Sequence, residues 1–180
     1  RPVVPGIVIL LSADDTSEEE IVRDWGAVLQ SHSLTVIIPR SPESTRLTKD
    51  DIPLVMTSLR AAVSRAGADL RRVVVVADRT QSSLAWQCAF GGPSAVRGVA
   101  LTDGWIADAA IQGVEGAGRS VLLLDQSQDA QANSLRALSG KSLTNAGFWA
   151  PRPTASAIAD DSNERVSRCI ADWTFLMRSF

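Results

Sequence analysis

The side chains able to do chemistry gather at a few short stretches of this chain. Asp78, Arg79, Thr80, Gln81, Ser82 and Ser83 follow directly on the apolar run that begins at Val73. A Thr or Ser hydroxyl in such a turn can act as a nucleophile when a base lies within hydrogen-bond reach. Six carboxylates, Asp14, Asp15, Asp78, Asp103, Asp125 and Asp129, each lie just beyond an apolar run, and clustered carboxylates are how Mg²⁺ or Ca²⁺ is held. Bases are scarce, because His32 is the only histidine. It reads as a solvated residue closing a helix, where a positive partial charge suits the dipole. Cys88 and Cys169 are too far apart in sequence for a CxxC pair and read as small buried hydrophobes.

The elements that must position these groups alternate regularly. Gly6 to Leu11, Leu34 to Ile38, Val73 to Val76, Val96 to Leu101 and Ser120 to Leu124 read as strands, and Gly147 to Ala150 as a last short one. Continuous Val, Ile and Leu, rather than alternation with polar residues, predicts strands buried on both faces. Between them run segments of helical period. Thr16 and Ser17 cap a helix that opens on Glu18, Glu19 and Glu20 and turns Ile21, Trp25, Val28 and Leu29 to one side. Asp50 and Asp51 open a second, with Pro53 in its first turn, which stops at Gly67. Further helices are expected over Ser82 to Phe90, Trp105 to Ile111 and from Asp129 through Gly140 or a little beyond. The last starts near Ser162, with Val166, Ile170, Trp173 and Met177 on one face. The prediction is a three-layer α/β/α domain around a doubly wound, mainly parallel sheet of about six strands.

Ligands bind such sheets beyond the carboxyl ends of the strands, which is where the reactive stretches fall. The layout resembles the α/β-hydrolase superfamily, in particular its esterase, dienelactone-hydrolase and prolyl-oligopeptidase-like branch. The phrases "EEEIVRDWGAVLQSHSLTVIIPRSP", "LAWQCAF", "RGVAL" and "IADW" carry the likeness, which extends over nearly the whole chain. Relatives of that kind have an earlier antiparallel part of the sheet that is not evident here. Together with Arg1 in place of an initiator Met, this leads us to expect one domain, residues 1–180, of a larger protein.

The resemblance implies four functional positions. Aligning Val73 to Val76 and "LAW" sets Asp78 to Ser83 on the family's G-H-S-x-G-G, with Thr80 at the nucleophile, Asp78 and Ser82 at the small flanking positions, and Arg79 and Gln81 between them. The oxyanion loop, ordinarily H-G or H-G-G, falls on Ser12, Ala13, Asp14 and Asp15, where carboxylates would oppose a developing oxyanion. Asp129 falls on the acid position of L-L-x-G-x-x-D. The family's histidine belongs in "TASAIADDSNERVS", which has none. The expectation is therefore a catalytically degenerate hydrolase-like domain, a binding or assembly module rather than an enzyme. The alternative is an active esterase or peptidase that uses Thr80 or draws residues from another domain.

Other classes fit less well. A net charge of −2 with both signs interspersed offers no footprint for nucleic acid or an anionic membrane, and no apolar run spans a bilayer. The first strand leads into "SADDTSEEE", with neither G-x-G-x-x-G nor G-K-[ST], so no nucleotide or other cofactor is expected. Gly113, Gly116 and Gly118 read as a loop. Mg²⁺ on the acidic cluster is a lesser alternative: the D-x-D phrase is missing, Lys49 and Lys141 fall elsewhere, and capping accounts for Asp in such turns. No metal ligand is assigned. Expected partners are other domains of the same protein or a separate protein, with a small molecule at the carboxyl edge, where Trp105 and Asp103 are the candidate pocket residues.

Overall fold

The computed structural model of this chain describes residues 4–11, 17–42, 46–126, 129–153 and 163–177. Five strands form one sheet: β1 (Gly6–Leu11), β2 (Leu34–Ile37), β3 (Val73–Asp78), β4 (Gly98–Thr102) and β5 (Ser120–Leu124). They lie in the order β2-β1-β3-β4-β5, and every neighbouring pair is parallel. The order reverses between β1 and β3, which makes that junction the switch point of the sheet.

The strands carry apolar side chains on both faces because both faces are covered. On one side Val8, Leu10, Val74, Val76, Ala100 and Leu122 meet α1 (Glu18–His32) and α6 (Asn163–Leu176). On the other, Ile7, Ile9, Val73, Val75 and Val99 meet α2 (Ile52–Ala66) and α3 (Ser82–Phe90), with Leu143 of α5 (Ala130–Asn145). A short α4 (Asp108–Ile111) lies between β4 and β5 in the chain. The caps are those expected from local chemistry. Ser17 accepts from the Glu20 amide while the Glu20 carboxylate accepts from the Ser17 amide, and Gly67 ends α2 at φ 59°.

The sheet has five strands among the described residues, not about six. The expected strand Gly147 to Ala150 is a single bridge between Trp149 and Ser120. Pro151 and Pro153 follow it, have no amide hydrogen, and cannot extend a ladder. The fourth expected helix also shortens, from Trp105–Ile111 to Asp108–Ile111.

Gly98 shows how tightly the strand layer meets α6. A Cβ there would lie 2.6 Å from the Trp173 ring, whose indole N–H donates to Ser120 Oγ at 2.9 Å.

Both cysteines lie away from the carboxyl edge, and burial governs them. Removing Cys88 from solvent pushes its thiol up to about 11, and burial together with the Asp172 charge raises Cys169. The folded Cys88 keeps its proton where the unfolded thiol loses it, so stability is full below about pH 9 and falls as pH rises towards 11. In a colorimetric thiol titration at about pH 8, Cys88 should react only as fast as the chain unfolds, and both thiols should react at once in denaturant. Immediate reaction of Cys88 in the native protein would contradict this packing.

Candidate functional site at the carboxyl edge of the sheet

The turn after β3 stands beside the switch point. β3 ends at Asp78, Arg79–Gln81 make one 3₁₀ turn, and α3 starts at Ser82. Asp78 organises this turn as a cap. Its Oδ1 accepts the Thr80 amide at 2.7 Å, the Gln81 amide at 3.1 Å and the Thr80 hydroxyl at 2.6 Å. Gln81 is buried and donates through Nε2 to the Leu47 carbonyl at 3.2 Å. Ser82 is also buried, and its hydroxyl donates back to the Asp78 carbonyl at 3.0 Å.

The loop after β4 closes over this turn. Gly104 comes so near that a Cβ would lie 2.3 Å from Ser82 Oγ, and the Arg79 guanidinium stacks over Trp105 at 4.5 Å. Trp105 therefore covers the turn and is not among the residues lining the two cavities described below.

A reactive elbow holds its nucleophile in a strained conformation. Among the described residues only Ser33 and Asp103 have positive φ without being glycine, so Thr80 sits in an unstrained turn. The strain lies one strand over, at Asp103, whose φ is 54°. Asp103 Oδ1 accepts the Gln126 amide at 2.8 Å.

The acids after β4 and β5 converge on an arginine, a partner that sequence reasoning missed. Arg136 of α5 has no exposed surface. Its guanidinium donates to the Asp103 carbonyl at 3.2 Å, to Asn133 Oδ1 at 2.5 Å and to the Asp125 carboxylate, and lies 3.6 Å from Asp103 Oδ1. Two of the six candidate metal-binding carboxylates are thus bound to a cation. Asp129, at the acid position, is exposed and caps α5 by accepting the Gln131 and Ala132 amides. No group of three potential metal ligands occurs among the described residues. The helical face of Ala132, Arg136, Ser139, Gly140 and Leu143 was the available signal, because it turns Arg136 inward.

His32 stands at the opposite edge, since the end of α1 leads into the start of β2. It is partly buried rather than solvated. Nε2 meets Asp172 Oδ1 of α6 at 2.8 Å, and Nδ1 lies 2.9 Å from Ser31 Oγ. Its place in the fold separates it from Thr80 by the length of the strands. Ser12, Ala13, Asp14 and Asp15 lie outside the described residues, as do residues 154–162, which include most of the loop where the resemblance puts a histidine.

A cavity of about 280 Å³ opens on this edge between α1 and α6. Asp78, Thr102 and Gln126, at the ends of three adjacent strands, line it together with Asp24, Trp25 and Ser167. Asp24 and Ser167 also join the two helices, through the Ser167 hydroxyl on the Asp24 carbonyl at 2.5 Å. The arrangement offers carboxylate and amide groups over an apolar floor, the pattern of a small-ligand pocket.

No protein-family model matches the sequence, and a search of curated proteins finds no significant match. Solved structures do resemble the chain. A fungal esterase from Rhizomucor miehei superimposes over 98% of this chain and 75% of its own at 12% identity, with a TM-score of 0.64. Esterase PE8 matches over 94% and 93% at 12% identity, also with a TM-score of 0.64. Carboxyl esterase 2 from the fungus Tuber melanosporum matches over 98% and 79% at 6% identity, with a TM-score of 0.65. At such identities the likeness is one of fold, and the fold is α/β-hydrolase-like.

Proposed function

We propose that this chain is a catalytically degenerate α/β-hydrolase-like domain, kept within a larger protein to bind a partner or a small ligand. The observation that carries the reading is the turn after β3. Its hydroxyl at the nucleophile position is hydrogen-bonded to Asp78, in a capped 3₁₀ turn without the strain of a reactive elbow. The chain's one histidine stands at the far edge of the sheet, so no imidazole activates Thr80 from within this chain. Buried Ser82, turned back onto the Asp78 carbonyl, offers no substitute. The three neighbours named above are esterases, and on this reading their fold is kept here with a refilled turn. What remains at the carboxyl edge is the cavity between α1 and α6, which suits a small polar ligand or a partner's side chain.

Labelling with a fluorophosphonate, read by intact mass, tests the reading together with hydrolysis of a short-chain p-nitrophenyl ester. The expected result is no adduct, and hydrolysis at the buffer rate. A stoichiometric adduct on Thr80, lost in Thr80→Val, would overturn the proposal and make the chain an active hydrolase with an unusual nucleophile.

A further inference from the structure

A second and larger cavity, about 490 Å³, lies at the other edge of the sheet, where β3, β4 and β5 begin. Three of its lining residues are arginines and none is acidic. Arg71 belongs to the turn before β3, Arg97 directly precedes β4, and Arg119 directly precedes β5. Register brings the last two together. The Arg97 amide donates to the Val73 carbonyl, the Ser120 amide donates to the Arg97 carbonyl, and Gly98 pairs with Ser120. Arg97 and Arg119 are therefore lateral neighbours just before adjacent strands, with Cα atoms about 5 Å apart.

Like charges set side by side repel. Yet among the described residues none of these three guanidinium groups forms an ion pair with a carboxylate. Arg119 instead stacks over the Phe90 ring at 5.2 Å. A chain of net charge −2 thus concentrates three cations around one opening. The remaining wall is mainly apolar and aromatic, with Phe148, Trp149 and Met177; Ser120 also lines it, its hydroxyl donating to the Trp149 carbonyl and accepting from the Trp173 indole, and the two glycines, Gly118 and Gly147, add no side chain. A cavity of this size is within the range that holds small organic ligands.

We propose that this cavity binds a small organic anion with a flat apolar body, a carboxylate or sulfonate carried on an aromatic ring system. The arginines supply charge-assisted hydrogen bonds to the anionic group, and Phe148, Trp149 and Met177 cover the ring. The site is separate from the carboxyl-edge cavity and does not depend on how the turn after β3 is read.

The test uses the fluorescent probe 8-anilinonaphthalene-1-sulfonate and its uncharged counterpart N-phenyl-1-naphthylamine, titrated into the intact chain. The sulfonate should bind saturably at one site per chain, with the neutral analogue weaker by about tenfold or more, the loss expected for a charge-assisted contact. Arg97→Glu and Arg119→Glu should each weaken the sulfonate by at least about tenfold. Arg60→Glu, an equal change of net charge on exposed α2, should leave it unchanged. If Arg119→Glu fails to fold because its stacking on Phe90 is lost, Arg97→Glu and Arg71→Glu carry the test from exposed positions. Equal affinity for the two probes, wild-type affinity in Arg97→Glu, or an equal loss in Arg60→Glu would each overturn the proposal. So would displacement of the sulfonate by inorganic phosphate at matched concentration, which would show a bare anion site with no role for the apolar wall.

Discussion

Arg136→Met should lower the free energy of unfolding by about 3 kcal/mol, the scale of breaking a buried ion pair from one side. The side chain is fully buried and ties the ends of β4 and β5 to α5 through Asp103 and Asp125, while Asn133 of the same helix holds its guanidinium. Methionine fills much of the volume but takes from the Asp103 and Asp125 carboxylates the cation they share. For a chain of this length the melting temperature should fall by about 10 °C. Urea unfolding at neutral pH measures the effect. The triple variant Asp103→Asn, Asp125→Asn, Arg136→Met should recover a large part of the loss, because removing the whole charge group costs far less than orphaning half of it. A single-variant loss below about 1 kcal/mol would mean that solvent already screens the acids.

Gly98→Ala should cost about 2 kcal/mol, within the range for overpacking a filled core. The new methyl would lie 2.6 and 2.9 Å from two carbons of the Trp173 ring and 3.0 Å from Met177 Cε. The ring cannot simply swing aside, since its N–H is held by Ser120 Oγ and the residue is only 3% exposed. Adding Trp173→Phe should therefore restore stability to Gly98→Ala relative to the sum of the two single changes, a coupling readable from a double-mutant cycle. Strict additivity would show that the clash is relieved elsewhere.

Much of the architecture was legible because strands buried on both faces leave a plain mark. The runs Gly6–Leu11 and Ser120–Leu124 appear in the structure with the same limits, and Ser17 and Gly67 cap the helices they were expected to cap. The place of the turn after β3 could also be read, since the helix that follows it starts at Ser82 as expected. The conformation inside it could not. Whether Thr80 is strained or capped depends on which donors the Asp78 carboxylate collects, and that is decided in three dimensions. The acids at the strand ends suggested a metal in the same way, because nothing in their own spacing points to Arg136 on a later helix. The arginine-lined cavity was hidden for a related reason. Arg71, Arg97 and Arg119 are distant in sequence, and only parallel pairing of their strands brings them to one opening.

The single bridge at Trp149 does more than end the sheet. β5 is the last strand on its side of the sheet, and a bare parallel edge is a template on which a foreign strand can add. Here the Val121 amide already donates to the Trp149 carbonyl at 2.9 Å, and the Leu123 amide faces the Pro151 carbonyl at 3.4 Å. The segment that takes up these donors carries Pro151 and Pro153, which have no amide hydrogen to pass the ladder outward. A stub too short to count as a strand thus acts as a terminator. It occupies the edge amides of Val121 and Leu123 and leaves β2 as the only edge of the sheet, among the described residues, without such a seal.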